Sequence, residues 1–331
     1  MSRINYKKIK GAELRDSSQV DIAVITVEGK KLGPTLFIDA ALHGNEPGAT
    51  QAIHELVHGV INPEKLKGKI IAMPIANPLA FCMGTRTAPY DDVDLNRVFP
   101  GKKDGTITEQ MAYAIFEEAR KADCVIDMHG NYEPGLPFTI VPGVGGEAFS
   151  KSVELAKAYG VTSCMGQQGL PAKGPLASTC ASGGILSLCV ELACYCRVVD
   201  AEVDITLRGL TNVMKYLGMM DGKIEDQSKY TKVLKGIYLS EHVRSSKAGM
   251  VKYHVQPGDK LKKGDLIAEI RNVYGEKVEE ITAMKNAYFN APYYACQGNR
   301  YDAFNQAVGI GDSLGTIFVK KQPSNPSKSK K

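Results

Sequence analysis

Hydrophobic positions in the first two thirds of the chain alternate between short apolar runs and helical stripes. Strand-like runs cover Val20–Val27, Thr35–Leu42 and Lys69–Ile75. Cys124–Met128 and Ile185–Leu192 are more continuously apolar, as expected of strands buried on both faces. Stripes with helical spacing lie in Gln51–Val60, Thr108–Ala122, Glu147–Tyr159 and Ala201–Leu217. Strands that alternate with helices predict an α/β domain with a mixed, mostly parallel sheet flanked by helices.

The pattern changes after a polar linker, Asp221–Lys232. Short apolar runs broken by glycine, proline, asparagine and aspartate then continue to about Val319, which predicts a small all-β domain. We therefore expect an α/β domain over residues 1–225 and a β domain over residues 233–320. Residues 321–331 are basic and polar, and we expect a disordered tail there.

The β domain carries a tripeptide that resembles the modified site of biotin carriers. Ala-Met-Lys occurs in 282-TAMKNAYF-289, but the hairpin in the matching register, Arg271–Gly275, has no lysine. Lys285 lies about two dozen residues after the Gly-Asp turn at 258–259, where a carrier would place its lysine after about a dozen. We expect a biotinyl/lipoyl-carrier-like fold without the modified lysine.

Composition and charge narrow the classes of partner. The chain has 331 residues, is 44% hydrophobic and has a formal net charge of +5, part of which lies in the basic tail. No apolar run is long enough for a signal peptide or a membrane span, so we expect a cytoplasmic protein without a membrane or nucleic-acid partner. The eight cysteines include no Cys-x-x-Cys pair and are read as reduced thiols. Whether the chain forms a homo-oligomer stays open.

Two zinc-binding patterns overlap in 39-DAALHGNEPGATQAIHELVHGV-60. The second, 54-HELVH-58, would place two histidines one turn apart on a helix. Gly59 and Pro63 end that helix before a third ligand can follow, and Glu55 points away from the apolar stripe. We therefore interpret His54 and His58 as residues beside the core stripe, not as metal ligands.

The first pattern, His43 and Glu46, follows the strand-like run 35-TLFIDAAL-42. It lies where open α/β sheets place their ligands, at the carboxyl end of a strand. His129 ends a second buried strand in 124-CVIDMHG-130. Together the three residues form a His₂Glu set, which catalytic zinc sites use while keeping a fourth position for water. Asp127 could orient a ligand, but we expect it on the opposite face of the strand from His129.

Further polar residues lie on the loops near these ligands. Asn96 and Arg97 occur in 94-DLNRVFPG-101, and Arg86 in 84-GTRTAPYDD-92. An arginine fork binds carboxylates through two hydrogen bonds. Glu191 interrupts the apolar strand 188-LCVELA-193. Burying a single acid costs folding free energy, so such a residue usually has an ion-pair partner or a functional role. Its alternative interpretations are a salt-bridged structural carboxylate and, near a metal, a general base.

Together, 43-HGNE-46, 94-DLNRVFPG-101, 123-DCVIDMHG-130 and Glu191 resemble the succinylglutamate desuccinylase/aspartoacylase family of the zinc carboxypeptidase superfamily. The resemblance covers roughly residues 22–217. It implies a zinc-carboxypeptidase-like fold and one Zn²⁺ per chain, held by His43, Glu46 and His129. It further implies that Glu191 is the general base and acid, that Arg86 polarises the scissile carbonyl, and that Asn96 and Arg97 bind the substrate carboxylate.

The resemblance therefore implies a zinc-dependent amidohydrolase that deacylates a small N-acyl amino acid or a related carboxylate-bearing amide. Zinc carboxypeptidase activity on short peptides and a non-catalytic ligand-binding role remain the alternatives. The acyl group and the amine are not readable from the sequence. We expect the loops Asn131–Phe138 and Gly166–Ala181 to set the shape of the substrate pocket.

Overall fold

The protein is built on one large and one small β-sheet, as described by a computed structural model over residues 3–143, 146–166, 174–293 and 306–321. The strands are β1 (Ile4–Glu13), β2 (Gln19–Glu28), β3 (Lys31–Asp39), β4 (Lys67–Met73), β5 (Cys124–Gly130), β6 (Phe138–Val141), β7 (Thr162–Met165), β8 (Leu186–Leu192), β9 (Ile237–Arg244), β10 (Gly249–Tyr253), β11 (Lys260–Leu261), β12 (Leu266–Arg271), β13 (Lys277–Thr282), β14 (Ala287–Pro292), β15 (Ala307–Val308) and β16 (Ser313–Lys320). The helices are α1 (Gly48–Glu55), α2 (Pro78–Met83), α3 (Ile107–Ala119), α4 (Gly146–Tyr159), α5 (Leu176–Ser182) and α6 (Asp200–Tyr216).

The large sheet has twelve strands in the order β1-β2-β4-β3-β5-β8-β6-β7-β9-β16-β14-β11. Its middle is mostly parallel: β3 pairs in parallel with β4 and β5, β5 with β8, β6 with β7, and β7 with β9. The remaining pairs are antiparallel, so the sheet is mixed. The predicted α/β fold with a mixed sheet flanked by helices is confirmed.

Alternating side chains of the central strands bury two cores, one on each face of the sheet. Leu36, Ile38 and Ile126 pack with α1, α4 and α6. Phe37 and Val125 point to the other face and pack with α3 and α5. Because both faces are covered, these strands read as continuous apolar runs in the sequence.

The predicted helices are present with shifted ends. The stripe predicted as one helix over Gln51–Val60 begins earlier, at Gly48, and its last turn, Leu56–Val60, is π-helical. Helix α3 begins with a capping box between Thr106 and Glu109, because each side chain accepts a hydrogen bond from the other residue's backbone N–H.

The C-terminal strands do not form an isolated sheet. Strands β9, β16, β14 and β11 extend the large sheet, since β9 pairs with β7 of the α/β part. The other four, β13-β12-β10-β15, form a separate antiparallel sheet. The division into two domains therefore stays a prediction, while the hydrogen-bonded sheet continues across it.

The part predicted to be carrier-like has a hairpin between β12 and β13, and no lysine occurs in that turn. Lys285 forms an ion pair with Glu241 at 2.9 Å. The predicted basic tail lies outside the described residues apart from Lys321. In the part of the chain that the structure describes, no helix combines the length and hydropathy needed to cross a bilayer.

Candidate active site

Three buried side chains converge where β3 and β5 end. His43 and Glu46 come from the loop after β3, and His129 from the end of β5. His43 Nδ1 lies 2.9 Å from Glu46 Oε1, and His129 Nδ1 lies 3.0 Å from Glu46 Oε2. The two Nδ1 atoms are 3.1 Å apart. The structure thus brings together the three residues that the sequence predicts as metal ligands, in a group that could hold a metal ion.

The carboxylates on the far sides of the two rings show why a cation fits this group. Nε2 of His43 faces Asp94 Oδ1 at 3.1 Å, and Nε2 of His129 faces Asp127 Oδ1 at 2.9 Å. A neutral histidine carries one proton, and these carboxylates favour it on Nε2. Both Nδ1 lone pairs then point at each other and at a carboxylate. A cation satisfies three such electron-pair donors at once, and His₂Glu is a donor set that suits zinc.

Electrostatics at the cluster also favour a positive charge. Burial alone would lower the pKa of His129, but Asp127 and Glu46 raise it well above its ordinary value. Burial alone would raise the pKa of Glu46, but His43 and His129 hold it well below its usual range. The carboxylates of the cluster therefore stabilise a positive charge, either a proton on His129 or a metal ion in its place, and Glu46 stays ionised.

Gly130 lets the Glu46 carboxylate approach the backbone of β5. Its N–H donates to Glu46 Oε2 at 3.0 Å, and a Cβ at this position would lie 3.2 Å from Glu46 Cγ. That separation is tighter than an ordinary van der Waals contact. The glycine after His129 thus holds the Glu46 carboxylate with a hydrogen bond, and the absence of a side chain leaves room for Glu46 to approach.

Asp94 connects His43, a predicted metal ligand, to Arg86, and this role is not predicted from the sequence. Its Oδ2 accepts hydrogen bonds from Arg86 Nε and Nη2 at 3.1 and 2.9 Å, while Oδ1 faces His43. Arg86 Nη1 also lies 3.6 Å from Glu46 Oε1. The predicted carbonyl-polarising arginine is therefore held beside the ligand cluster, with 40% of its side chain exposed. In the sequence, the only indication of this role is the position of Asp94 directly before Leu95-Asn96-Arg97.

The expected orientation of Asp127 is wrong. Residues two apart on a strand point to the same face, so Asp127 and His129 share one side of β5. The carboxylate lies 2.9 Å from His129 Nε2 and is fully buried. Asp127 thus orients the ring from behind the ligand cluster.

A second buried acid, Asp39, stands beside Asp127 in the register of β3 and β5. Neither of its oxygens has a hydrogen-bond partner among the described residues. Burial, reinforced by the charge of Asp127, raises the pKa of Asp39 well above its ordinary value. Two neighbouring carboxyls cannot both ionise cheaply without solvent, so Asp39 is the neutral member.

Glu191 pairs directly with His129 in the register of β5 and β8, so both side chains point to the same face of the sheet. Withdrawal from solvent raises the pKa of Glu191 to about 7; His129 opposes the shift and Glu46 adds to it. A carboxyl with a pKa near neutrality can both accept and return a proton. This arrangement favours the general-base interpretation over a salt-bridged structural carboxylate.

Asn96 and Arg97 lie on the short 3₁₀ turn Leu95–Arg97, close to the ligands. Asn96 is buried: its Oδ1 accepts from the Leu176 N–H at 2.8 Å, and its Nδ2 lies 2.9 Å from His129 Nε2. Arg97 is exposed and donates to the Asn96 carbonyl at 2.8 Å. The structure therefore places both beside the cluster.

The competing pattern, 54-HELVH-58, lies on the surface. His54, Glu55 and His58 are exposed, and the π-helical turn begins between the two histidines. Within the described residues, neither histidine belongs to a group of three potential metal ligands. His58 instead stacks on Tyr6, with ring centroids 6.3 Å apart.

The chain is similar to a described protein family and to several characterised relatives. Residues 32–217 match a family described as the succinylglutamate desuccinylase/aspartoacylase catalytic domain. The N-alpha-acetyl-L-2,4-diaminobutyric acid deacetylase of Halomonas elongata is 26% identical over 300 residues, covering 88% of this chain and 86% of that protein. The succinylglutamate desuccinylase of Pseudomonas putida is 28% identical over 130 residues, covering 36% of this chain and 38% of its own.

Solved structures share the fold over nearly the whole chain. A succinylglutamate desuccinylase/aspartoacylase from Rhodobacter sphaeroides superposes with a TM-score of 0.83 at 22% identity, covering 97% of this chain and 96% of its own. The product-bound ectoine utilization protein EutE (DoeB) of Ruegeria pomeroyi gives a TM-score of 0.81 at 23% identity, covering 96% and 95%. Both include the C-terminal strands, so these belong to the shared architecture.

Proposed function

We propose that this chain, which belongs to the succinylglutamate desuccinylase/aspartoacylase family, is a zinc-dependent deacylase of small N-acyl amino acids. The observation that carries the proposal is the convergence of His43, Glu46 and His129 beside Glu191. A relative that aligns over most of the chain is an N-acetyl deacetylase, which supports amide hydrolysis on a small amino acid.

Zinc held by His43, Glu46 and His129 would lower the pKa of a water molecule and polarise the acyl carbonyl. Glu191 is placed to accept the proton of that water, because it lies on the same sheet face as His129 and has a pKa near 7. Attack of the water oxygen on the acyl carbon, cleavage of the C–N bond and return of the proton to the departing nitrogen would then release a carboxylic acid and a free amine.

Arg86 would stabilise the negative charge that develops on the carbonyl oxygen. Its guanidinium is held in place by Asp94 before substrate arrives, so little reorganisation is needed. The substrate carboxylate would be bound by Arg97, which is exposed next to the cluster, together with Asn96. The amide nitrogen of Asn96 lies 2.9 Å from Nε2 of His129, which would hold this side chain beside the bound substrate.

The test is hydrolysis of a panel of N-acetyl and N-succinyl amino acids and short peptides by the zinc-loaded protein, with a chelated control. We expect release of a free amino acid from at least one acyl amino acid, sensitive to the chelator, with peptides left intact. Release of C-terminal residues from peptides would instead identify a carboxypeptidase. No chelator-sensitive cleavage of any compound would contradict the proposal and favour a binding role.

A further inference from the structure

The loop between β3 and α1, residues 40–47, carries His43 and Glu46 and is called the ligand loop. It begins with a strained residue: Ala41 is fully buried and has a φ of 53°, in the left-handed region that favours glycine. A residue with a Cβ keeps this conformation only where the surrounding structure imposes it. Contacts that hold Ala41 in place therefore also determine where His43, two residues later, is positioned.

The residues after β4 supply these contacts. Three successive carbonyls of the ligand loop accept hydrogen bonds from them: Ala40 O from Ala76 N at 2.9 Å, Ala41 O from Asn77 N at 3.0 Å, and Leu42 O from Asn77 Nδ2 at 3.2 Å. Asn77 thus provides two of the three donors, one from its backbone and one from its side chain. Leu42 is fully buried, and a buried carbonyl that loses its donor costs folding free energy.

The same asparagine begins helix α2. Asn77 is fully buried, and its Oδ1 accepts a hydrogen bond from the Ala80 N–H at 3.1 Å. Asparagine is a good residue at the start of a helix, and this bond alone would give it a structural role. The bond from Nδ2 to the Leu42 carbonyl is not needed for that role. The side chain therefore joins the first turn of α2 to the residue directly before His43.

The first turn of α2 also contacts the residue directly after His43. A Cβ at Gly44 would lie 2.0 Å from the carbonyl carbon of Ala80, so the backbone of the ligand loop packs against the backbone of the helix. Leu42 and Gly44 are thus both placed against the turn that Asn77 organises. His43 lies between them, and its position follows from the contacts on either side.

We propose that Asn77 is a positioning residue, which holds the ligand loop in the conformation that brings His43 and Glu46 together before a metal ion binds. It acts through the backbone of Leu42. This inference rests on the proposed zinc-dependent function. Without the bond from Nδ2, the strained backbone at Ala41 loses a contact that opposes its relaxation. Part of the free energy of metal binding would then be spent on ordering the loop, and affinity would fall.

Asn77→Asp tests the amide nitrogen alone. Aspartate has nearly the same shape and caps helices as well as asparagine, but an ionised carboxylate has no hydrogen to donate to the Leu42 carbonyl. We expect zinc affinity to fall about 10- to 100-fold, the range found for residues that orient ligands from outside the metal site. Affinity is measured by competition with a chromophoric chelator. Should Asn77→Asp fail to fold, Asn77→Ser also keeps a good cap and carries the same expectation.

Asn212→Asp is the matched control. Asn212 is also fully buried, donates from Nδ2 to the Glu225 carbonyl at 2.9 Å and accepts from the Glu225 N–H at 2.7 Å. Its partner lies after α6 and not in the ligand loop. We expect this variant to lose stability but to keep the zinc affinity of the wild type. Unchanged affinity in folded Asn77→Asp, or an equal loss in Asn212→Asp, would overturn the positioning role.

Amide hydrogen exchange in the metal-free protein gives a second result that needs neither zinc nor activity. We expect peptides that cover residues 40–46 to lose protection in Asn77→Asp and to keep it in Asn212→Asp. Wild-type protection of this segment in Asn77→Asp would overturn the inference. A wild-type protein that binds no zinc would instead contradict the proposed function, and the exchange data would still decide whether Asn77 holds the loop.

Discussion

Asp94 and Arg86 form a two-contact ion pair beside the ligand cluster, with Asp94 Oδ2 at 3.1 Å from Nε and 2.9 Å from Nη2 of the arginine. The other carboxylate oxygen lies 3.1 Å from Nε2 of His43. One side chain thus orients both a proposed metal ligand and the group proposed to polarise the substrate carbonyl. The geometry predicts that metal binding and Arg86 placement depend on the same carboxylate.

Replacing Asp94 by asparagine should weaken both functions. Asp94→Asn removes the negative charge that holds Arg86, and it also removes the carboxylate that accepts from Nε2–H of His43. We therefore expect zinc affinity to fall about 10- to 100-fold. kcat/KM should also fall at saturating zinc. Affinity is measured by competition with a chromophoric chelator, and Asp104→Asn, an exposed acid on another loop, is the charge-matched control. Unchanged zinc affinity in Asp94→Asn would remove Asp94 from this role.

The two overlapping histidine patterns can be separated by metal content. His129→Ala should lose bound zinc, whereas His54→Ala and His58→Ala should retain one zinc per chain, since both of these side chains are exposed outside the cluster. Zinc at 100 times its dissociation constant should stabilise the folded wild type by about 2.7 kcal/mol. Elemental analysis and thermal unfolding with and without zinc are the measurements. Zinc loss in His54→Ala together with retention in His129→Ala would reverse the ligand assignment.

Glu191→Gln should separate catalysis from metal binding. The amide cannot accept the water's proton, so we expect kcat to fall by about 10²- to 10⁴-fold. Zinc content should stay at the wild-type level, because Glu191 lies outside the ligand group. Activity close to wild type would return Glu191 to the structural interpretation.

Glu118 gives a pH-dependent contribution to stability that is independent of the site. Burial alone would raise its pKa, but Lys121 at 2.9 Å and Lys7 at 3.1 Å lower it. The pKa of Glu118 is lower in the folded protein than in the unfolded chain, where it is about 4.3. Its ion pairs therefore stabilise the folded protein above the unfolded-state pKa. This stabilisation is lost as the pH falls through the folded-state pKa. Glu118→Gln should therefore lower the unfolding free energy at pH 7 by about 0.5–1 kcal/mol, with the difference vanishing toward pH 3.

Chemical denaturation across this pH range measures the effect. Glu117→Gln, in a more exposed ion pair with Arg120 on the same helix, is the matched control and should change stability less. A Glu118→Gln difference that grows toward low pH would have the wrong sign for this linkage.

The sequence by itself determined the strands and site residues that depend only on neighbouring positions along the chain. Continuous apolar runs identified β5 and β8, and the positions of His43 and Glu46 after a strand located the ligand loop, because strand ends gather at one edge of a parallel sheet. The acid inside an apolar run singled out Glu191. Asp39 likewise interrupts an apolar run, just before His43, but the sequence does not show that it lies beside Asp127.

Tertiary structure decided everything that depends on strand order and register. The pairing of β5 with β8 places Glu191 opposite His129, and the pairing of β7 with β9 joins the C-terminal strands to the main sheet. That junction brings Tyr293 onto Tyr132, although the two residues lie 161 positions apart in the sequence. Periodicity reports which face a side chain takes within one strand, but only long-range hydrogen bonding decides which strand lies beside it.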